Sequence, residues 1–74
     1  MSVPLADATG PSRWVIERVR AGGDLGHELE ALGLVPGTPV RVVRRARGHL
    51  LIAVEDARYS LGDEVARDVL VRRG

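Results

Sequence analysis

The chain has 74 residues, of which 11 are basic, all of them arginine, and 10 are acidic, so its formal net charge is +1. This length allows one small domain over residues 1–74, and the near balance of charge is untypical of a dedicated nucleic-acid-binding domain. The absence of cysteine excludes disulfides and thiolate metal sites, and no apolar run is long enough to cross a membrane.

The first twelve residues are polar and contain the turn-forming residues Pro4, Gly10, Pro11 and Ser12. We expect residues 1–12 to form a partly ordered arm that packs Leu5 onto the body of the domain. The arm has neither a basic region nor a long apolar segment, so we expect no signal peptide. Residues 14–19, WVIERV, are rich in β-forming side chains and predict the first strand, which ends at residues 20–23.

A short helix is predicted next, beginning at Asp24, whose side chain can accept hydrogen bonds from the first turn. Its apolar stripe consists of leucines at positions i, i+4 and i+7, which are Leu25, Leu29 and Leu32. Gly33 follows the stripe where a helix commonly ends in a left-handed residue, a conformation that glycine adopts without steric cost. Leu34 can then fold back over the helix end.

The following segment predicts a tight turn and then a β-hairpin. Pro36 and Gly37 have the residue types of the two central positions of a type II turn. Strict alternation in the next strand separates an apolar face from a solvated face. The apolar face carries Val40 and Val42, and the solvated face carries Arg41, Val43 and Arg45. The hairpin reverses around Gly48, and the second strand alternates through Leu50, Ile52 and Val54.

The rest of the chain predicts short elements only. Residues 55–57 form a tight turn, residues 62–66 form one helical turn, and residues 69–71 form the closing strand. About five short strands, with one helix between the first two and a helical turn before the last, predict a mainly β fold in the form of a small barrel. The expected core residues are Leu29, Leu32, Val40, Val42, Leu50, Ile52 and Val54.

This order of elements resembles the FeoA family, the small cytoplasmic component of bacterial ferrous iron transport. The resemblance rests on the leucine-striped helix that enters LGLVPG at residues 32–37, and on VRVVRRA at residues 40–46. It continues through the hairpin, then through Ser60, Leu61 and Ala66, to the closing strand. It implies an SH3-like barrel that binds the cytoplasmic side of the membrane transporter FeoB as an accessory or regulatory protein.

The chain departs from the family pattern in three places. Glu28 stands where the family often has a basic residue, and Gly62 follows Leu61 where the family often has arginine. The hairpin tip is the short sequence ARGH at residues 46–49, whereas the family usually has a longer, proline-containing tip. The scaffold therefore resembles the family more closely than the surface does.

Four arginines in seven residues are the candidate partner-binding side chains, namely Arg41, Arg44, Arg45 and Arg47. Guanidinium groups suit phosphates and carboxylates. The alternative is a solvated strand face whose charge protects the sheet edge. If these arginines do bind a partner, we expect an acidic protein surface or a second copy of the chain. Single-stranded nucleic acid is disfavoured because stacking aromatic residues are nearly absent.

The two large aromatic residues are expected to be half-buried in the barrel. The ring edges of Trp14 and Tyr59 could still line a shallow groove that receives a partner segment. His27 and His49 stand without a ligand motif, so no metal site and no cofactor are expected. No serine has a histidine and an aspartate at a recognisable spacing, so we expect no enzyme activity.

Two hypotheses from different classes remain. In the first, the chain is a protein-interaction module that binds the cytoplasmic domain of a FeoB-like transporter without inserting into the membrane, with weak self-association left open. It would then be cytoplasmic and would reach the inner membrane through the transporter. In the second, it is a nucleic-acid-binding SH3-like barrel that uses the arginine-rich hairpin. Co-purification with the transporter's cytoplasmic G domain distinguishes the two.

Overall fold

The computed structural model describes residues 1–9 and 12–74, and within them it contains six β-strands, two α-helices and one 3-10 turn. The strands are β1 (Val3–Pro4), β2 (Trp14–Val19), β3 (Pro39–Ala46), β4 (His49–Val54), β5 (Ala57–Gly62) and β6 (Val69–Arg73). The helices are α1 (Gly23–Ala31) and α2 (Asp63–Arg67), and the 3-10 turn is Leu5–Asp7. The predicted mainly β fold is confirmed, with α1 between the first two long strands.

The strands form one sheet in the order β1-β6-β2-β3-β4-β5, and every neighbouring pair is antiparallel. The strand that was not predicted is β1. It lies in the segment that we expected to form an arm, and its Val3 pairs with Val71 of β6. Leu5 follows in the 3-10 turn and is fully buried. Gly10 and Pro11, two of the turn-forming residues noted in the sequence, lie outside the described residues.

One apolar core lies on the inner side of the sheet. Its buried members are Leu5, Ala8, Trp14, Ile16, Leu29, Leu34, Val40, Leu50, Ile52, Val54, Leu61, Ala66, Val69 and Val71. Five of the seven expected core residues belong to this set, but Leu32 and Val42 are only half-buried against it. Leu32 is the C-cap of α1 and borders an open cleft. Val42 directly precedes an irregularity in β3, where the strand bends.

The start of α1 differs from the prediction. Gly22 is the N-cap, no side chain caps this end, and Asp24 lies inside the first turn. The prediction of Asp24 as the cap was therefore wrong by two residues, although a carboxylate in the first turn still favours the positive end of the helix dipole. Leu25 is 38% exposed, so the buried part of the leucine stripe is Leu29.

The end of α1 has the hydrogen bonds of a Schellman motif. The N–H of Leu34 donates to the main-chain oxygen of Leu29 at 3.0 Å, and the N–H of Gly33 donates to that of Glu30 at 3.0 Å. Gly33 has φ 90°, the left-handed conformation that this motif requires. Leu34 folds back and is buried.

The turn that follows connects α1 to β3. The N–H of Thr38 donates to the main-chain oxygen of Val35 at 3.1 Å, and Gly37 between them has φ 93°, as in a type II turn. The same turn is fixed to β2, because the N–H of Gly37 donates to the oxygen of Ile16 at 2.7 Å. The stretch LGLVPG is therefore architectural.

Candidate partner-binding face

A β-bulge in β3 decides where the candidate arginines lie. Val42 is opposite Ile52 of β4, whereas Arg44, two residues later, is opposite Leu51. Val43 is the extra residue of the bulge and is 37% exposed. Because side chains alternate between the two faces of a strand, one extra residue reverses the alternation of every residue that follows.

Arg45 is the residue most affected by this reversal. We expected it on the solvated face with Arg41, but it lies opposite Leu50, a fully buried core residue. Its guanidinium reaches over the edge of the core and donates to the main-chain oxygens of Ala6, at 2.6 Å, and of Ala8. Arg45 therefore holds the N-terminal segment against the sheet. It remains exposed, but its placement on the same face as Arg41 is wrong because the bulge breaks the alternation.

The outer face of β3, β4 and β5 carries a different set of arginines. Arg41 is opposite Ala53, which in turn is opposite Arg58 of β5. Arg44 and Leu51 form the neighbouring row, which continues to Ser60. Residues directly opposite one another share a face, and strands are about 5 Å apart, so the Cα atoms of Arg41 and Arg58 are about 10 Å apart. We call this surface the arginine face; it consists of Arg41, Val43, Arg44, Leu51, Ala53, Arg58 and Ser60.

Arg58 was not predicted as a site residue, although the sequence contains a signal for its position. The turn between β4 and β5 contains two residues, Glu55 and Asp56, and a turn of that length fixes the register of the two strands. Counting outward from it pairs Val54 with Ala57 and then Ala53 with Arg58, as the structure shows. The predicted turn, residues 55–57, is one residue longer than the turn in the structure, because Ala57 already belongs to β5.

Arg13 extends the arginine face toward β2. It precedes Trp14, which is opposite Val40, so Arg13 comes beside Arg41. Both arginines line a shallow cavity of about 460 Å³ that also includes Ala53 and, at its rim, Glu55. Positive charge is thus concentrated at this place in a chain whose net charge is only +1.

The arginines of this face are not committed to contacts within the chain. Within residues 1–9 and 12–74, the side-chain hydrogen bonds of arginines are formed by Arg20, Arg45 and Arg73. Arg13, Arg41, Arg44 and Arg58 are all exposed and form none of these bonds. Between them, Leu51 and Ala53 of β4 are half-buried and provide a narrow apolar strip. The arrangement can receive carboxylates on both sides of an apolar side chain.

The other predicted site residues lie elsewhere. Arg47 is exposed in the two-residue turn between β3 and β4, at the far end of the arginine face from Arg13. Trp14 is 6% exposed and not half-buried as expected, because it faces the core, with the Arg73 guanidinium carbon 5.3 Å from its ring centroid. Its indole N–H has no hydrogen-bond partner within the described part of the chain. A ring placed in this way cannot stack on a ligand.

Tyr59 belongs to the inner side of β5. It is opposite Ile52, is half-buried as expected, and lines a cleft of about 370 Å³ between the end of α1 and the start of β5. Leu32 of the α1 cap lines the same cleft, and Glu55 and Asp56 stand at one end of it. Tyr59 and the arginine face therefore lie on opposite sides of the same strand.

The two histidines are exposed on separate elements, His27 on α1 and His49 at the start of β4. In the described ranges 1–9 and 12–74, no three histidine, aspartate or glutamate side chains lie close enough together to share a metal ion. In those same ranges, no helix has both the length and the apolar composition that crossing a bilayer requires.

Comparison with known proteins places the whole chain in one family. Residues 3–73 match the family model of the FeoA domain. No curated protein sequence matches the chain. The family match covers both edges of the sheet and every residue of the arginine face, so it concerns the complete fold described above.

Solved structures show the same SH3-like fold. The crystal structure of an iron uptake regulatory protein, FeoA, is 25% identical with a TM-score of 0.89, each chain covering 100% of the other. The solution structure of iron(II) transport protein A from Clostridium thermocellum is 20% identical with a TM-score of 0.89, over 96% of this chain and 45% of that one. A manganese-dependent transcriptional repressor is 18% identical with a TM-score of 0.89, over 99% of this chain and 42% of the repressor. The repressor shares the fold alone.

Proposed function

Because the chain belongs to the FeoA family, whose members are small proteins related to ferrous iron transport, we propose that it is a non-catalytic accessory protein of a FeoB-type transporter. In this proposal it binds the transporter's cytoplasmic domain through the arginine face. The observation that carries the proposal is the exposure of Arg41, Arg44 and Arg58 on one side of the sheet, without side-chain hydrogen bonds inside the described chain.

The chemistry of the face favours an acidic protein surface as the partner. Arginine binds carboxylates through two parallel hydrogen bonds and is enriched in protein interfaces. The apolar strip of Leu51 and Ala53, with Val43 beside it, adds surface that gains by leaving water. With a net charge of +1, the chain has little long-range field, so attraction must arise from local contacts of this kind.

The same face is poorly suited to nucleic acid. Its seven residues include no aromatic side chain, and the two aromatic residues of the chain lie in the core and on the opposite side of β5. Proteins that bind single strands combine a basic groove with stacking aromatics, and these contribute about 1–3 kcal/mol per base. Nucleic acid is therefore the less favoured partner, and the experiment below includes a result that would support it.

The test compares two variants that lose the same charge. In the face variant, serine replaces Arg41, Arg44 and Arg58. In the control variant, serine replaces three exposed arginines away from the face, namely Arg18, Arg20 and Arg67. Binding to the purified cytoplasmic domain of the transporter is measured by calorimetry, and folding is checked by circular dichroism.

We expect the face variant to lose at least tenfold in affinity and the control variant to lose less than threefold. Raising the salt concentration should weaken binding of the natural chain in the same direction, because interface charges at the rim are screened. Equal losses in the two variants would show that total charge matters and the face does not. Tight binding of a DNA or RNA oligonucleotide at physiological salt, lost in the face variant, would favour the nucleic-acid hypothesis.

A further inference from the structure

Among the residues that the structure describes, β5 is the last strand of the sheet and pairs with β4 alone. We propose that its other side accepts an extended segment of the partner as an added strand, and that this segment alternates acidic and apolar side chains. The inference rests on the proposed function, because the partner meant is the cytoplasmic domain of the FeoB-type transporter. The inference specifies how that domain binds, namely by adding one of its segments to the sheet as a strand beside β5.

The register of the β4–β5 ladder identifies the free backbone groups. The two strands are joined by a two-residue turn, so the flanking pair Val54 and Ala57 is hydrogen-bonded, and every second pair after it is hydrogen-bonded too. The bond from the N–H of Asp63 to the oxygen of Gly48, 3.0 Å long, continues the same alternation beyond the strand. The N–H groups that point to β4 are therefore those of Ala57, Tyr59, Leu61 and Asp63.

The remaining backbone groups of β5 face away from the sheet. They are the N–H and C=O of Arg58 and Ser60 and the N–H of Gly62; all three residues are exposed, and the C=O of Gly62, the N-cap of α2, begins that helix instead. No heavy atom outside the neighbouring residues lies within 4 Å of the position that a Cβ would take at Gly62. Unpaired N–H and C=O groups on an open strand edge are the groups to which an added strand bonds.

The outer side of an added strand would face positive charge. Arg58 lies on the outer face of the edge strand itself, and Arg41 is two strands further in. A carboxylate on the added strand, beside Arg58 at about 5 Å between strands, would be within reach of its guanidinium. Charge complementarity therefore favours acidic residues at the outward positions of the added strand.

The inner side of the added strand would meet the cleft between α1 and β5. Tyr59 and Leu32, both half-buried, line this cleft together with Val54 and Ala57. An apolar side chain from the inward position of the added strand can complete the burial of Leu32, Ala57 and Tyr59, which are half-buried, at about 25 cal/mol for each Å² of apolar surface removed from water. The alternation of acidic and apolar residues follows from these two environments.

A second copy of the chain is a poorer occupant of the same edge. Pairing β5 with β5 would set Arg58 of each copy on one continuous sheet face, with the arginines of β3 behind it. Like charges on one face repel, and no acidic residue of β5 is available to offset them. The partner segment is therefore the occupant to which the proposal commits.

Amide hydrogen exchange, followed residue by residue, tests the proposal with an internal control. The amides of Ala57, Tyr59 and Leu61 should be protected in the free chain, since they bond to β4. Those of Arg58, Ser60 and Gly62 should exchange at least tenfold more slowly once the transporter's cytoplasmic domain is bound. Their exchange is compared with and without a saturating amount of that domain.

A matched pair of variants provides the second measurement. Ser60→Pro removes an N–H that points away from the sheet, which proline tolerates at an edge, whereas Ser60→Ala keeps that N–H. Ser60→Ala measures the loss of the side chain alone, so we expect Ser60→Pro to lower affinity for the domain at least fivefold more than Ser60→Ala does, with both variants folded by circular dichroism. If Ser60→Pro unfolds, the exchange measurement on the natural chain decides alone.

The outcomes separate this proposal from the proposed function. Binding of the domain without protection of Arg58, Ser60 and Gly62 would overturn the added strand and leave the accessory role intact. An absence of binding would overturn both. Protection of the same three amides by raising the concentration of the chain alone would assign the edge to self-association and overturn the choice of occupant.

Discussion

The guanidinium of Arg45 donates a hydrogen bond to the main-chain oxygen of Ala6, 2.6 Å away and 39 positions earlier in the chain. The same side chain also bonds to the oxygen of Ala8, whose residue is fully buried. The segment held in this way contains Leu5, a core residue without any exposed surface. One arginine of a run that looks like a binding patch is thus part of the scaffold.

Arg45→Ser should therefore destabilise the domain by about 1–3 kcal/mol, because it removes hydrogen bonds from a charged donor to main-chain oxygens near the core. Arg44→Ser is the matched control, since Arg44 is exposed and outward, and it should change stability by less than about 0.5 kcal/mol. Urea unfolding followed by tryptophan fluorescence measures both. Equal losses of stability in the two variants would show that Arg45 has no structural role beyond that of an exposed arginine.

Gly33→Ala and Gly37→Ala should each destabilise the domain by about 1 kcal/mol or more, because both glycines have positive φ, of 90° and 93°. Neither site is crowded. A methyl group added at Gly33 would have Val54 as its nearest neighbour, at 3.8 Å, and a methyl group added at Gly37 would have no other heavy atom within 4 Å. The cost is therefore conformational.

Gly62→Ala provides the contrast, since Gly62 has φ −65° and open space around it. We expect this substitution to change stability by less than about 0.5 kcal/mol. Thermal unfolding of the three variants measures the difference, and similar losses at all three positions would show that glycine is needed at these sites for another reason.

Ile52→Ala should cost about 2–5 kcal/mol and Val42→Ala about 1 kcal/mol. Ile52 has no exposed surface, so its truncation leaves a cavity that the surroundings cannot fill. Val42 lies opposite it but is half-buried, so solvent reaches much of the space that its methyl groups leave. Denaturant unfolding of the two variants compares them, and a larger loss at Val42 would contradict the packing described here.

A strong chelator should leave the thermal midpoint unchanged. The described residues bring no three histidine or carboxylate side chains together, and a closed ligand set is what a structural metal requires. Scanning calorimetry with and without chelator checks this. A fall of several degrees would implicate His27 or His49 in binding a metal.

The helix stop and the turn after it could be predicted from the sequence, because both depend on local chemistry. Gly33 and Leu34 have the residue types of a Schellman motif, and Pro36 and Gly37 have those of a type II turn. Each requires only neighbouring residues to take a backbone conformation that their own side chains favour. Tertiary contacts then retain that conformation, as the bond from Gly37 to Ile16 shows.

The face of each arginine could not be predicted in full, because a bulge depends on how two strands fit together. Nothing in VRVVRRA marks Val43 as the extra residue, and without it the alternation places Arg45 on the wrong side. Likewise, the burial of Trp14 depends on its pairing with Arg73, 59 positions later. Local patterns predicted the elements, whereas the site depends on long-range register.

The central claim is that the arginine face contacts the cytoplasmic domain of a FeoB-type transporter, and an NMR titration tests it most directly. The isotope-labelled chain is titrated with the unlabelled domain, and amide shifts are followed residue by residue. We predict the largest changes at Arg41, Arg44, Leu51 and Arg58, with little change at the start of α1, at Asp24 and His27. Changes confined to α1, or no change at a saturating amount of the domain, would contradict the account.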